Sequence, residues 1–366
     1  MRPSDVRKIL PWSVTDLSLR PFPGMWSFNP SIHFDGTTWR CSLRCADYAM
    51  PNGVTVRGGL ASSAYVRNRN VMVELDPRTW RPTATIEMVE ADNHPRITGC
   101  TYLGYADLRL FQTARHGLQA IAASMQLAKI SAAGAPTRKK AHRRTGGSHP
   151  AEQTILTLDS EYRIIEARPI RGGWSGRPQK NWSPFDRADV PRFLYSIDRG
   201  LMFSDDGPLT PSGAMVSSFD GGFARAAART GASGTGGYHE LRGGTQLVYI
   251  GDQLRALVGD VAGGAWLSLA HDMRYVQGRK FYWHLFYAVD STGRMLAQSE
   301  PFKLAENGIE FAAGLAWGDG ERVMISFGVD DMECRLGETS LAAILELLAP
   351  VDPEVRASDS VRGSLR

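Results

Sequence analysis

The chain has 366 residues, 43% of them hydrophobic and 22% charged, an ordinary globular balance with ample material for a core. No apolar run approaches the roughly 18 residues a membrane-spanning helix needs, and residues 1–20 carry charge without the apolar stretch and small-residue site of a secretory signal. Four cysteines are too few for a disulfide scaffold, so free thiols and a cytoplasmic location are expected, while 38 glycines, 20 prolines and nine tryptophans point away from a helical bundle and towards many short strands.

The net charge of +4 invites a nucleic-acid reading, but five of the positive charges sit together at Arg138, Lys139, Lys140, Arg143 and Arg144, and removing those five from +4 leaves −1. The cluster lies within residues 131–150, rich in Ala, Gly, Thr and Pro and without apolar periodicity. That stretch reads as a flexible basic surface insertion, and no nucleic-acid partner is expected.

Along the chain, period-two alternation dominates. Trp39, Cys41, Leu43 and Cys45 alternate with Arg40, Ser42, Arg44 and Ala46, which puts one set on each face of a strand. Asp35-Gly36 marks a hairpin before it, and His116-Gly117, Gly251-Asp252 and Asp319-Gly320 mark three more, Gly251-Asp252 predicting a return strand over residues 254–258. A loose repeat of apolar segments ending in aspartate (Asp76, Asp159, Asp198 and Asp290), each followed by a polar turn, suggests stacked antiparallel meanders. Residues 220–237 read as a glycine-rich loop. One helix is expected over residues 340–348, capped by Thr339 or Ser340, ahead of a polar tail at 351–366. No linker divides two cores, so residues 1–350 are expected to form a single domain.

The sequence has no phosphate-binding glycine loop opening a helix, no His-Glu-x-x-His and no pair of Cys-x-x-Cys motifs. Cys41 and Cys45 share a strand face but lack further ligands, which favours buried thiols over a metal site. What remains is a series of short polar-aromatic motifs at strand ends. They run Asn29-Pro30-Ser31-Ile32, Arg44 with Tyr48, Gly104 to Phe111 around Asp107, Gln179-Lys180-Asn181-Trp182-Ser183, Arg242-Gly243-Gly244-Thr245, Gly308-Ile309-Glu310-Phe311, and Ser326 to Asp331.

Each has a reading from its own chemistry. Asp107 interrupts an apolar strand start and is either a turn carboxylate or a groove acid, and low-dielectric walls would favour its protonated form. Glu310 interrupts an apolar run, where a carboxylate is expensive unless paired or facing a cavity, so it is a second acid–base candidate. Arg44, Arg109, Lys180 and Arg242 either solvate the surface or converge on an anion. Trp182, and less so Trp26, offers a face for a pyranose, although a core position is the commoner fate of tryptophan. Asp92-Asn93-His94-Pro95-Arg96 looks similar to the Asp107 motif but carries His94 where the acid would be.

Taken in order, from about Phe28 to Leu336, these motifs resemble glycoside hydrolase family 130. The resemblance implies an all-β, five-bladed β-propeller with a short C-terminal helix, acting on β-linked mannosides or related glycosides by phosphorolysis, hydrolysis or glycosyl transfer. It implies Asp107 as the general acid, working through a sugar hydroxyl, with Asn29, Arg44, Arg109, Lys180, Asn181, Trp182, Arg242, Thr245 and Asp331 around the sugar. No cofactor is implied, inorganic phosphate would be the co-substrate of phosphorolysis, and a homo-oligomer is compatible with the fold. Two departures stand out. Ala106 replaces the family's usual glutamate, and Leu257-Val258-Gly259 stands where phosphorylases carry a phosphate-contacting histidine, with His271 or His284 as nearby substitutes. The alternative is a propeller that binds carbohydrate without turning it over.

Overall fold

A computed structural model describes residues 4–51, 54–57, 67–90, 104–125, 151–170, 181–197, 201–204, 241–276, 279–305, 309–318 and 320–351. The fold is all-β, as expected. Among the described residues, five main sheets follow one another along the chain, beside a two-stranded one of Tyr48–Ala49 and Val56–Arg57. The first contains Trp26–Phe34, Trp39–Ala46, Asn68–Leu75 and Pro82–Glu87 in antiparallel order, and the second Ala106–Thr113, Gly117–Met125, Ala151–Leu158 and Ile164–Pro169. The third is Ser183–Pro184, Arg192–Ser196 and Leu201–Ser204. The fourth is built on two long strands, Ala265–Val276 and Arg279–Asp290, to which Arg242–Gly243, Val248–Gly251, Met295–Gln298 and Phe302–Lys303 are added, with Ser4–Asp5 and Ala349–Pro350 at its edges. The fifth is Glu310–Trp317, Arg322–Val329 and Glu333–Ser340, completed by the early strand Ser13–Asp16.

Apolar layers lie between successive sheets. Met72, Leu108, Leu110 and Leu156 fill the space between the first and second, Phe111, Ile155, Trp182 and Phe193 that between the second and third. Phe185, Leu247 and Tyr287 join the third to the fourth, and Leu269, Phe286, Leu315 and Phe327 the fourth to the fifth. A last layer joins Cys41, Leu43 and Val73 of the first sheet to Met324 and Leu336 of the fifth. Burying side chains of this size is worth about 1.5–3 kcal/mol each, so every sheet is held on two sides. Cys41, Cys45 and Cys334 are buried free thiols in that layer, and burial pushes the Cys45 thiol up to about 12.

The leading strands are also tied to each other by polar groups. Ser31 Oγ accepts from Leu110 N at 2.9 Å, Ser326 Oγ accepts from Ile32 N at 2.9 Å, and Gln246 spans Ile32 O at 2.6 Å and Leu315 N at 3.1 Å. Inside a protein such bonds cost heavily to break, because the groups left behind are buried.

The aspartate repeat has a local cause. Asp76 Oδ1 accepts from the backbone N–H of Arg78 and Thr79, Asp159 Oδ1 from Glu161 and Arg163, and Asp290 Oδ1 from Thr292 and Arg294. Each carboxylate closes the turn between neighbouring strands of a sheet. Asp198 lies outside the described residues, as do 131–150, 220–237, 92–96, Lys180 and the tail beyond 351.

The helix is found at Leu341–Leu347, with Ser340 Oγ accepting from Ala343 N at 3.2 Å and Leu341 and Ile344 in the layer between the fourth and fifth sheets. Residues 254–258 correct the expectation of a return strand. Gln253 N bonds to Ile250 O and Val258 N to Leu254 O, so the chain winds into a helical turn at Arg255–Val258, and Val248–Gly251 pairs with the strand beginning at Ala265 instead. Gly259 therefore ends a helical turn on the surface, with φ of +80°, rather than occupying a strand beside the site.

Candidate active site

Three of the sheets share a device at their leading strands. Asn29, Asp107 and Asn181 head the first three sheets with φ of +49°, +54° and +65°, and Asp330 and Asp331 adopt the same left-handed backbone at +53° and +49°. Asparagine and aspartate tolerate that conformation better than other side-chain-bearing residues. In the first two sheets the ladder register slips at this point, between Phe28 and Ser31 and opposite Ala106 to Arg109. A bulge of this kind turns a side chain out of the alternation and re-aims it.

Four of these residues, Asn29, Asp107, Asn181 and Asp331, line one cavity of about 280 Å³ together with Arg44, Arg242 and His271. Its apolar wall comes from Tyr48, Met50, Met273, Tyr282, Ile309 and Phe311. Arg242 and His271 are partners in register across the fourth sheet, as are Met273 and Tyr282.

Asp107 Oδ1 accepts from Asn29 Nδ2 at 2.9 Å and from Arg44 Nη1 at 2.7 Å. Arg44 is buried, and its Nε donates to Asn68 Oδ1 at 2.7 Å while the guanidinium lies 4.8 Å from the Phe28 ring. Burial disfavours its charge, but Tyr48, Asp107 and Asp331 outweigh that and hold it protonated. Beside the apolar wall, Asp107 thus faces a guanidinium at 2.7 Å.

The remaining sequence candidates fall elsewhere. Arg109 is fully buried behind the cavity, donating to Gly244 O at 2.7 Å and to Asn181 Oδ1 at 2.9 Å, with burial bringing it down to about 10. It orients Asn181 from behind. Trp182 sits in the layer between the second and third sheets, 6.2 Å from the Phe193 ring, and offers no face to a ligand. Thr245 is buried at a turn, where its hydroxyl accepts from Leu269 N at 3.1 Å.

Glu310 is the main correction. Its neighbours Ile309 and Phe311 face the cavity, so alternation turns Glu310 the other way. There Oε2 accepts from Leu304 N at 2.6 Å and lies 4.0 Å from His284 Nδ1. Burial pushes Glu310 up to about 8 and His284 down to about 3. Asp331, rather than Glu310, is the second carboxylate at the cavity. Tyr282 and Met273 come from the long fourth-sheet hairpin, where polar residues such as Ser268, Asp272 and Arg274 are scattered among apolar ones and no short motif marks either residue.

No protein-family profile matches the sequence, and no curated protein does. Solved structures do resemble it. A member of the GH130 family of mannoside phosphorylases, which contains glycoside hydrolases targeting β-1,2-mannosidic linkages in Candida mannan, superposes with a TM-score of 0.53 at 12% identity, over 91% of this chain and 88% of its own. A putative glycoside hydrolase from Parabacteroides distasonis gives 0.50 at 13% identity, over 89% and 97%, and a glycosyl hydrolase from Bacteroides ovatus 0.50 at 12%, over 90% and 87%. The chain has a GH130-like fold.

Proposed function

We propose that this chain is a carbohydrate-active enzyme acting on β-linked mannosides or related glycosides, with Asp107 as general acid. The observation that supports this most is the convergence of Asp107, Asp331 and Arg44 on one small polar cavity with an aromatic and methionine wall. Sugar hydroxyls suit such mixed walls, because asparagine and carboxylate groups take the hydroxyls while Tyr282 and Phe311 meet C–H faces.

In this reading Asn29 and Arg44 fix the Asp107 carboxyl, and the acid proton passes through a sugar hydroxyl to the glycosidic oxygen as that bond to the anomeric carbon breaks. Water, phosphate or an acceptor hydroxyl then forms the new bond at the anomeric carbon. Arg242 and His271 stand on the wall as donors to an incoming oxyanion, and Asp331 is the available carboxylate base for water.

The Arg44–Asp107 ion pair favours a second reading, a sugar-binding fold without turnover, because it stabilises the carboxylate rather than the acid. A screen of β-mannosyl oligosaccharides with and without phosphate, reading free sugar and sugar phosphate, separates the two. Under the enzymatic reading Asp107→Asn keeps sugar affinity and loses about a hundred- to ten-thousandfold in turnover. Saturable sugar binding with no product from the wild type would leave the binding reading standing.

A further inference from the structure

The contacts that hold Asp107 extend beyond its cavity. Asn68 opens the strand Asn68–Leu75, which pairs with Trp39–Ala46 so that Asn68 stands opposite Ala46 and Asn70 opposite Arg44. Residues two apart on a strand share a face, so Asn68 and Arg44 are diagonal neighbours within side-chain reach. Asn68 Oδ1 accepts from Arg44 Nε at 2.7 Å, and Arg44 Nη1 donates to Asp107 Oδ1 at 2.7 Å. Asn68 itself is 5% exposed and does not line the Asp107 cavity.

A guanidinium is planar, and two bonds from separate nitrogens fix the direction in which it points. Without the Asn68 acceptor, Arg44 would keep its bond to Asp107 and the rings of Phe28 and Tyr48, at 4.8 and 5.5 Å. Ring faces attract a cation but do not set its direction within their plane. Asn68 Nδ2 is buried and has no hydrogen-bond partner among the described residues. Reversing the amide would bring Nδ2 against Arg44 Nε, donor against donor, so the orientation is fixed. Leaving a buried donor unsatisfied is unfavourable, and an apolar side chain would fill the place at less cost. The use of an asparagine here is its oxygen, and the oxygen goes to Arg44.

The backbone supports the same arrangement. A Cβ on Gly104 would stand 2.1 Å from Asn68 O, and Gly104 has φ of +102°, so glycine lets the chain pass over Asn68 on its way to Asp107. Two positions along each strand, Asn70 Nδ2 donates to Tyr105 O at 3.0 Å. The segment carrying Asn68 is thus pressed on the approach to Asp107 at Gly104 and bonded to it at Tyr105.

We propose that Asn68 is a positioning residue for Asp107, acting through Arg44, whose guanidinium it turns so that Nη1 meets the carboxyl. The inference rests on the functional reading above for its effect on turnover, whereas its effect on Arg44 is independent of that reading. Asn68 touches neither the sugar nor the reacting bond, so its loss lowers kcat and leaves KM nearly unchanged.

The test compares Asn68→Leu, which removes the acceptor, with Asn68→Asp, which keeps one at the same place. The full chain is used, with melting curves as the folding control and Asn68→Ala as the substitute should Asn68→Leu fail to fold. One readout is the side-chain Nε–H resonance of Arg44 in nitrogen-15 NMR, assigned by its disappearance in Arg44→Lys. The other is steady-state kinetics on the β-mannoside that the wild type turns over. The expected result is solvent exchange of that Nε–H about tenfold faster in Asn68→Leu, and little changed in Asn68→Asp. In Asn68→Leu, kcat falls by about tenfold to a hundredfold, the cost of a misplaced catalytic group, and Asn68→Asp recovers part of it. A lower melting temperature with exchange and kcat unaltered overturns the inference and leaves the functional reading in place. Absence of turnover in the wild type removes the functional reading, and the exchange comparison then decides alone: equal rates in the wild type and Asn68→Leu overturn the inference, and faster exchange confined to the variant without an acceptor upholds it.

Discussion

Gly328 makes room for Asn29: a Cβ on Gly328 would stand 2.5 Å from Asn29 Oδ1 and 2.7 Å from its backbone nitrogen. The fifth sheet thus presses directly on the residue that donates to Asp107. Gly328→Ala should displace Asn29 and break that bond. Hydrogen bonds to charged groups are worth about 1.5–3 kcal/mol, so sugar affinity or turnover should drop by about tenfold to a hundredfold. Calorimetry with the preferred sugar checks this, and an unchanged affinity would show that Asn29 has no part in the site.

Arg44 and Asp107 are both nearly inaccessible, with side chains 6% and 11% exposed. Removing one partner of a buried ion pair strands the other, at about 3–5 kcal/mol. Arg44→Met should therefore unfold at markedly lower urea concentration than the wild type. The double variant Arg44→Met/Asp107→Leu should recover much of the loss, since it leaves no stranded charge. Additive losses in the double variant would mean that the two side chains do not stabilise one another.

Glu310 supplies a pH signature. Its folded-state value is raised from 4.5 to about 8 by burial, so the folded chain holds a proton that the unfolded chain has released. Stability from this group is therefore full below about pH 4.5 and is lost as pH rises to about 8. Glu310→Gln keeps an acceptor for Leu304 N and has no proton to lose. Its melting temperature should gain on that of the wild type as pH rises through this window; parallel curves would contradict the assignment.

Asp290 should behave oppositely. Burial works to raise its value, but bonds from Thr292 and Arg294 prevail and lower it. Its contribution is present above the ordinary aspartate value of 3.8 and disappears as pH falls through the depressed folded value. Asp290→Ala should destabilise by about 2–3 kcal/mol near neutral pH, by the strength of bonds to a charged acceptor, with the difference shrinking in acid. Chemical denaturation at two pH values measures it.

The sheets were legible because alternation and turn chemistry are local. Asp35, Asp76, Asp159 and Asp290 sit where a carboxylate closes a turn, and that signal survives in the bare sequence. Asp107 stood out as a polar interruption of an apolar strand. Glu310 stood out in the same way and misled, because nothing in its composition says that Phe311 takes the cavity face beside it. Trp182 follows Asn181, and only the left-handed turn at Asn181 sends the asparagine inward and the indole into the layer behind. Residues 254–258 are as apolar as a strand, and the turn bonds that wind them are set by where Val248–Gly251 finds its partner. Parity at a bulge and choice of partner are tertiary facts.

The pairing of Ser13–Asp16 with Glu333–Ser340 couples stretches some three hundred positions apart, Asp16 lying opposite Arg335. During synthesis the earlier partner emerges long before the later one exists. Its edge must wait, unpaired, while the intervening sheets form, and such waiting edges are where chains stick to one another. Assembly of the first and last sheets against each other is therefore a late and slow event, because contacts so distant in sequence carry the largest closure cost. A ribosome-bound chain halted before Glu333 would hold its first three sheets, with the fourth lacking its Ala349–Pro350 edge and the fifth without the means to finish.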